Sequence, residues 1–344
     1  MSLFSNPFAR TSVPEEHRRA FLGRAAAAVL AALGSASGCG KKTPTKSTGP
    51  AGAMNNEGEG AVNKETVIAV VRKLAKDKGT PESIVEPIVH RLLPSIRLIP
   101  AHSDGRSETA LGTSRIGGLP DLPVGVRWPR FADAHRPKTN KGAVDRPFSF
   151  LMQINLAEVS RFDLEQLLPK SGFLYFFLSW ISHDPIEEEK SQVLFVPDPG
   201  TALRPTEAPA DLPEDQLYEG FKLNPRLEWT VPFPSDLGLK EEFVENHLGL
   251  WDTLEEEVAA VQGFAPYCQS IHRMLGHPQL VQSPGVADGT KLLLQVDSDC
   301  VFRDKGYPET GMMWGDAGRV YYFVSEKDLK AHLLDSAQAQ WECH

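Results

Sequence analysis

The chain has 344 residues, of which 41% are hydrophobic, and it carries a formal net charge of −9. This length and apolar content suffice for one large domain or two smaller ones. The acidic balance argues against a nucleic-acid-binding protein, because nucleic-acid binding depends on clustered Lys and Arg that neutralise phosphates.

The first 38 residues have the order of an export signal. Arg18 and Arg19 precede an apolar run over residues 25–33, which ends in small residues. The paired arginines resemble the bacterial twin-arginine export signal. The apolar run is shorter than the roughly 18 to 20 residues that a membrane-spanning helix needs. We therefore predict a signal peptide over residues 1–38 rather than a transmembrane anchor.

Cys39 follows the small residues of this predicted signal. Residues 36–39 resemble a lipobox, in which the cysteine thiol takes up a lipid group, although Ala36 stands where leucine is usual. Several acyl chains on one cysteine give stable membrane anchoring. The sequence predicts a lipoprotein of the cell envelope, held to a membrane through lipid on Cys39. Secretion as a soluble protein is the alternative.

The next segments are a tether and two helices. Residues 39–63 are rich in Gly, Thr, Ser, Pro and Asn, which is typical of a flexible linker. Helical spacing of apolar residues predicts a helix over residues 64–78 and a second one over 81–93, with Pro81 in its first turn. Together they make an N-terminal helical segment over residues 64–94.

Residues 95–344 are predicted to form one α+β domain. Short apolar runs separated by Gly and Pro are typical of strands, and helical patterns are spaced unevenly among them. We expect mostly antiparallel sheets, with helices at the N-terminus and between two halves of the domain. The strand candidates are residues 148–156, 172–179, 192–196, 227–231, 292–297 and 319–324. The helix candidates are residues 163–168, 240–247, 254–261 and 326–334.

Three sequence blocks recur in the same order, which predicts an internal duplication. The blocks are residues 118–122, 150–155 and 172–177 in the first half, and residues 276–280, 292–297 and 318–323 in the second. Gln153 and Gln295 occupy the same place in the middle block of each copy. A glutamine in an apolar strand must satisfy its amide, so these two bond to nearby backbone or to each other, or they line a ligand-binding cleft.

The same blocks resemble the bacterial YwqG family from about Pro94 to the C-terminus. The resemblance is carried by residues 117–123 with Trp128 and Pro129, and by residues 150–156, 167–177, 275–278, 293–299, 314–318 and 341–343. It implies an α+β domain with internal duplication and no established reaction. The family is distantly similar to the eukaryotic programmed-cell-death-two proteins, which are linked to chaperoning a nascent ribosomal protein. Some bacterial members occur in toxin-immunity settings. Both relationships imply peptide or protein binding.

Known catalytic and metal-binding signatures do not occur in the sequence. It has no nucleophile elbow, no His-Glu-x-x-His, no Cys-x-x-Cys, no phosphate loop and no dinucleotide fingerprint. Asp297 and Asp299 lack the spacing of a calcium-binding loop, and no fourth zinc ligand is evident beside Cys268, His272 and His277. We therefore predict no metal and no cofactor. Cys268, Cys300 and Cys343 can form at most one disulfide.

The sequence favours a non-enzymatic binding module that holds a peptide, a protein or a small ligand in a cleft between its halves. The predicted ligand-binding residues combine close-approach glycines with aromatic and polar side chains: Gly117, Gly118, Trp128, Gln153, Gln295, Asp297, Trp314 and Asp316. The alternative is a hydrolase or metal-dependent enzyme that uses Asp297, Asp299, Asp316 and His272.

Overall fold

The computed structural model of the protein describes residues 63–101, 110–133, 144–179, 190–197, 202–239, 248–264, 270–282, 286–299 and 307–343. The predicted export signal with Arg18 and Arg19, the lipidation site Cys39 and the predicted helix over residues 240–247 lie outside this described part. Residues Val62–His344 form one compact unit. Within the described part, none of the helices has the length and apolar character needed to cross a membrane.

The N-terminal helices α1 (Lys64–Asp77) and α2 (Glu82–His90) lie where the apolar spacing predicts them. Asn63 caps the N-terminus of helix α1, because its side-chain oxygen accepts the backbone N–H of Thr66 at 2.9 Å. Helix α2 ends at His90, three residues before the predicted end. It stops there because the chain continues into strand β1 (Leu93–Pro100), which pairs along its whole length with β10 (Phe221–Thr230).

Ten of the described strands form one sheet in the order β14-β13-β12-β11-β1-β10-β2-β6-β7-β8. Every pairing among the described strands is antiparallel, which confirms the prediction of mostly antiparallel sheets in a mixed helix-and-strand fold. The remaining strands are β2 (Arg115–Ile116), β3 (Asp121–Pro123), β4 (Arg130–Asp133), β5 (Val144–Pro147), β6 (Ser149–Asn155), β7 (Phe173–Leu178), β8 (Ser191–Val196), β9 (Leu203–Pro205), β11 (Arg273–Met274), β12 (Thr290–Asp297), β13 (Arg319–Ser325) and β14 (Gln338–Glu342). The later described helices are α3 (Leu156–Val159), α4 (Leu248–Val261) and α5 (Glu326–Lys330).

The large sheet is nearly closed, because its two edge strands approach each other. Ala339 on β14 donates its N–H to Oγ of Ser191 on β8 at 3.0 Å. Close by, the Tyr322 hydroxyl donates to the carbonyl of Phe177 at 3.0 Å. Alternate residues of each strand point into the enclosed core, and the others point to the outer face. Tyr322 lies in that inner core, whereas its neighbour Tyr321 belongs to an outer cluster.

The outer face of the sheet is covered by three groups of side chains. An aromatic cluster that includes Trp128 and Tyr175 covers the first half. A smaller cluster around Tyr321 covers the second half. Helices α1, α2 and α4 share a further apolar cluster with Trp229 on β10 and with Val231, which directly follows that strand. This arrangement places α4 over the middle of the sheet, where the polar residues described below lie.

Several predicted elements differ from the observed ones. The helix predicted over residues 163–168 is wrong: the helical residues come earlier, in α3 and a 3₁₀ turn over Ser160–Phe162. Asn155 caps α3 by accepting the N–H of Ala157 at 3.0 Å, and the Asp163 carboxylate accepts the N–H of Leu168 at 2.8 Å, which closes a turn. Helix α4 begins six residues before its predicted start at residue 254, and α5 ends at Lys330 rather than at residue 334.

Candidate functional site

Gln153 and Gln295 are fully buried in β6 and β12, and both amides are satisfied by backbone groups. Gln153 Oε1 accepts the N–H of Asp121 at 2.7 Å, and its Nε2 donates to the carbonyl of Thr113 at 3.0 Å. Gln295 Oε1 accepts the N–H of Gln279 at 2.8 Å, and its Nε2 donates to the carbonyl of Ile271 at 2.7 Å. The two glutamines therefore bond to nearby backbone rather than to each other. They lie in one sheet, separated by β2, β10, β1 and β11.

The surroundings of the two glutamines correspond contact by contact. Arg115, the cross-strand partner of Gln153, donates through Nη1 to the carbonyl of Leu119 at 3.0 Å. Arg273, the cross-strand partner of Gln295, donates through Nη1 to the carbonyl of His277 at 3.0 Å. The two guanidinium groups are therefore held in the same orientation by the turns that follow them.

Two tyrosines extend this correspondence to the next strand on each side. The Tyr175 hydroxyl donates to the carbonyl of Asp121 at 2.7 Å, and the Tyr321 hydroxyl donates to the carbonyl of Gln279 at 2.8 Å. Asp121 and Gln279 thus occupy matching places, with the N–H bound to a glutamine and the carbonyl bound to a tyrosine.

The two matching residues differ in charge, because Asp121 is acidic and Gln279 is neutral. In the first half, Asp121 Oδ2 forms an ion pair with Arg115 Nη2 at 2.6 Å. In the second half the matching residue is the neutral Gln279, whose Nε2 donates to the carboxylate of Glu255 on α4. Arg273 Nη2 turns instead to Glu228 Oε1 on β10, at 3.3 Å. Arg273 therefore lacks the local carboxylate that neutralises Arg115.

Three arginines lie side by side across three neighbouring strands. In the sheet register, Arg97 on β1 is paired with Arg226 on β10 and with Arg273 on β11. Like charges in directly opposed positions repel each other. Glu228 offsets part of this repulsion, because its Oε1 also forms an ion pair with Arg97 Nη2 at 3.1 Å. The ring of Phe264 contacts the guanidiniums of Arg97 and Arg226, with 4.8 and 4.9 Å from each guanidinium carbon to the ring centroid.

A cavity of about 320 Å³ lies between Arg97 and Arg273 of this row and helix α4. We call it the arginine cavity and define it by six of its lining residues: Arg97, Glu228, Glu255, Arg273, Gln279 and Arg319. Its volume falls within the range of small-molecule sites. Arg97 and Arg273 are only 4% and 7% exposed.

Several polar atoms of the arginine cavity have no hydrogen-bond partner within the described residues. They are the Nε groups of Arg97 and Arg273, the Oε2 atom of Glu228 and the Oε1 atom of Gln279. Buried polar groups are nearly always hydrogen-bonded in folded proteins, either to protein or to ordered water. These unsatisfied donors and acceptors belong to side chains that line the cavity.

The charge balance of the arginine cavity depends on Glu255. Burial raises the pKa of the Glu255 carboxyl group, an effect that Arg273 and Arg319 partly oppose. Arg319 is paired with Asp297, with Nε and Oδ1 at 3.0 Å. Glu256 also lines the cavity, so three arginines face the carboxylates of Glu228, Asp297 and Glu256 when Glu255 is protonated. Protonation of Glu255 removes one negative charge from the site, which favours an anionic ligand.

His272 lies beside the cavity and is neutral at physiological pH. Burial lowers the pKa of His272 to about 4, and Arg97 and Arg319 act in the same direction against Asp297. Its Nδ1 accepts the backbone N–H of Asp297 at 3.1 Å, so the ring proton is carried by Nε2. The matching contact in the first half is from the N–H of Asn155 to Oγ of Ser114, at 2.9 Å. His272 therefore supports the end of β12.

The residues predicted from sequence to bind a ligand lie in several separate places. Trp128 packs in the outer aromatic cluster, where Nε1 donates to the carbonyl of Phe148 at 2.8 Å. Trp314 is buried in the inner core against Tyr218. Asp316 is exposed in the turn before β13.

The other predicted binding residues lie closer to the matched contacts. Gly117 and Gly118 form the turn after β2, with φ angles of 62° and 68°. Gln153 lies beside that turn in the first half. Gln295 and Asp297 lie next to the arginine cavity, since Gln295 holds Gln279 and Asp297 holds Arg319. Two of the eight predicted residues thus border the cavity.

The residues of the alternative enzymatic hypothesis contact different partners. The Asp299 carboxylate accepts from the Thr310 hydroxyl at 2.9 Å and from the N–H of Gly311 at 2.7 Å. His272 contacts backbone rather than a carboxylate, and Asp316 is exposed. Among the described residues, no group of three or more His, Cys, Asp or Glu side chains could hold a metal ion. Cys343 is a free thiol, whereas Cys268 and Cys300 lie outside the described part.

Sequence reasoning missed the residues that define the cavity: Arg97, Glu228, Glu255, Arg273 and Arg319. One signal was available, because Arg115 and Arg273 precede the Gly118-Leu119-Pro120 and Gly276-His277-Pro278 blocks at the same distance. The others lie on strands and a helix far apart in the chain. Their meeting depends on the strand order of the sheet.

The described fold and cavity define a mixed helix-and-strand domain built on a large, nearly closed antiparallel sheet. Residues 114–343 match a family described as Domain of unknown function (DUF1963). The match covers more than half of the chain, so the protein belongs to this family. No curated protein matches the chain.

Proposed function

We propose that this DUF1963 domain is a non-enzymatic binding module and that the arginine cavity is its ligand-binding site. The ligand is a small anionic molecule. The observation that carries the proposal is the pairing of Arg97 with Arg273 in the sheet register, with the Glu228 carboxylate shared between these two arginines at the wall of a cavity. Guanidinium groups held in this way form charge-assisted hydrogen bonds with carboxylates and phosphates.

The test is a thermal-shift titration of the full chain with inorganic phosphate, sulfate, acetate and glycolate. We expect at least one of these anions to raise the melting temperature of the wild-type protein, because a ligand that binds only the folded state stabilises it. Arg273→Gln should abolish the shift. Arg204→Gln, at an exposed position on β9, is the matched control and should leave the shift unchanged. If no anion shifts the melting temperature, the proposal is wrong.

We further propose that the domain arose by internal duplication and that it is YwqG-like, as the sequence blocks suggest. Support comes from the matched contacts of Gln153 with Gln295, Arg115 with Arg273, and Tyr175 with Tyr321. The strand order adds to this support. The strands β2, β6, β7 and β8 lie on one side of the central β1–β10 pair, in the same succession as β11, β12, β13 and β14 on the other.

We also propose that the chain is exported by a twin-arginine signal and held in the cell envelope by lipid on Cys39. Support comes from the order of Arg18, Arg19, the short apolar run and Cys39 in the sequence. Cys39→Ala should move the protein from the membrane fraction to the soluble fraction, because the lipid is the proposed anchor. Cys343→Ala is the control. An unchanged distribution of Cys39→Ala would exclude lipid anchoring.

A further inference from the structure

The first half of the domain contains an internal example of an anion bound to the matching arginine. The Asp121 carboxylate accepts from Arg115 Nη2 at 2.6 Å, from the N–H of Gly112 at 2.8 Å and from Gln153 Nε2 at 3.2 Å. Arg115 and Arg273 are oriented by the same contact to a turn carbonyl. The carboxylate that pairs with Arg115 therefore indicates which kind of chemical group can pair with Arg273.

Gln279 is the residue that distinguishes the two halves at this point. Its backbone is held like that of Asp121, between a buried glutamine and a tyrosine hydroxyl. Its side chain is neutral, and it donates to Glu255 on α4 instead of accepting from Arg273. Arg273 consequently shares Glu228 with Arg97, and neither arginine has a carboxylate of its own.

We propose that the anionic group of the ligand is a carboxylate and that it binds Arg273 as the Asp121 carboxylate binds Arg115. This inference rests on the proposed function, since it names the ligand class of the same cavity. Gln279 is then the specificity-determining residue, because an acidic side chain in its place would neutralise Arg273 from within the chain. The ligand also carries a hydrogen-bond donor, such as a hydroxyl or amino group, because Glu228 Oε2 and Gln279 Oε1 are acceptors without a donor in the described part.

The charges around the cavity favour a carboxylate over a phosphate. Glu228 and Glu255 both line the cavity beside the arginines. A phosphate brings more than one negative charge at neutral pH, whereas a carboxylate brings one. Phosphate is therefore repelled more strongly by Glu228, and by Glu255 when that residue is ionised. A small carboxylic acid with a neighbouring hydroxyl or amino group therefore has the chemistry that the site accepts.

The test compares glycolate, its neutral amide glycolamide and inorganic phosphate in titrations of the full chain by isothermal calorimetry. We expect glycolate to bind the wild-type protein and the other two to bind at least about tenfold more weakly. Glycolamide keeps the shape and the hydroxyl of glycolate but lacks the charge. It therefore isolates the contribution of the carboxylate.

The decisive variant exchanges two side chains, with Glu255→Gln and Gln279→Glu combined. The exchange keeps the composition, the net charge and a hydrogen bond between positions 255 and 279, and it moves the carboxylate to the place that Asp121 has in the first half. We expect glycolate affinity to fall by at least about tenfold, because the carboxylate introduced at position 279 would occupy Arg273. Glu255→Gln alone removes a carboxylate from the cavity and places none at Arg273, so it should strengthen glycolate binding rather than weaken it. The melting temperature of each variant shows whether it is folded.

The outcomes separate this inference from the proposed function. If phosphate binds in an Arg273-dependent manner and glycolate does not, the carboxylate inference is wrong and the binding function stands. If the folded exchange variant binds glycolate as the wild-type protein does, Gln279 does not determine specificity. If none of the anions binds the wild-type protein, both the inference and the proposed function fail.

Discussion

The backbone at Gly276 packs closely against neighbouring residues, and a substitution of this glycine tests how tight that packing is. It lies in the turn that presents Gln279, with a φ of 67°, and an added Cβ would lie 2.7 Å from both the Ser95 Cβ and the Thr230 Oγ1. Gly289 has a similar φ of 73°, but no atom lies within 4 Å of its added Cβ. The two glycines thus share the left-handed conformation and differ only in their surroundings.

We expect Gly289→Ala to lower the free energy of unfolding by about 1 to 2 kcal/mol, from backbone strain alone. Gly276→Ala should cost about 1 to 3 kcal/mol more, because overpacking is added to the strain. Urea unfolding of both variants measures the difference. Equal losses would show that the turn relaxes away from β1 and β10.

Glu255 should control the pH dependence of anion binding. Burial raises the pKa of its carboxyl group, so protonation persists to a higher pH than for an exposed glutamate. As pH rises through this pKa, Glu255 gains a negative charge beside the arginines, and anion affinity should fall. Calorimetric titration with glycolate from mildly acidic to mildly alkaline pH measures the decline.

Glu255→Gln should remove this pH dependence and keep the higher affinity throughout. The same raised pKa makes a prediction for folding. The stability that protonated Glu255 contributes is present at low pH and is lost as pH rises through the pKa in the folded protein. The variant should therefore be more stable than the wild-type protein at neutral pH. A pH profile of binding that is identical in both proteins would contradict this role of Glu255.

At the scale of strands and helices, the buried glutamines should make equal contributions in the two halves. Gln153→Leu would leave the N–H of Asp121 and the carbonyl of Thr113 without their side-chain partner, and Gln295→Leu would do the same to Gln279 and Ile271. Each substitution should lower the free energy of unfolding by about 2 to 4 kcal/mol. Chemical denaturation provides the measurement.

Gln338→Leu is the control for this comparison, because Gln338 is exposed on the edge strand β14. It should change stability by no more than about 0.5 kcal/mol. A large loss of unfolding free energy for Gln295→Leu with none for Gln153→Leu would show that the two glutamines contribute unequally to stability. That result would also weaken the proposal of an internal duplication.

The predictability of each element followed from the strength of its local pattern. Strands β6, β7, β12 and β13 were predicted because their apolar runs are bounded by Gly, Pro or a cap. Strands β2 and β11 have two residues each, which is too short for an alternation pattern. Arg115 lies on β2 and Arg273 lies on β11. These two arginines are therefore in strands that are too short to be predicted from a local sequence pattern.

The arginine row could not be predicted at all from local pattern. Arg97, Arg226 and Arg273 lie far apart in the sequence, and only the register of β10, β1 and β11 places them side by side. The glutamines were found because both lie in recurring blocks. Their role as backbone supports was one of the alternatives that the sequence left open, and the contacts decide in its favour.

At the scale of the whole molecule, the buried histidines link folding to pH. Burial lowers the pKa of His272 to about 4 and that of His277 to about 4. A histidine in the unfolded chain titrates near its usual value of about 6.5. Between these values the unfolded state binds more protons, so stability is lost as pH falls through this window.

His272→Ser tests this link, because Ser114 makes the matching contact in the first half. Between about pH 7 and pH 5, the wild-type protein should lose about 1 to 2 kcal/mol more of its unfolding free energy than the variant does. Urea titrations at the two pH values give both numbers. Equal losses would mean that His272 titrates in the folded protein as an exposed histidine does.

The nearly closed sheet gives the two halves one continuous outer face, and α4 lies over its middle. We propose that the ligand's carboxylate binds there, at Arg273. A crystal structure of the full chain grown with glycolate tests this proposal. We predict a glycolate carboxylate within about 3 Å of the Arg273 guanidinium, with its hydroxyl toward Glu228 or Gln279. A structure that shows the arginine cavity filled only by water, with glycolate absent or bound elsewhere, would contradict the account.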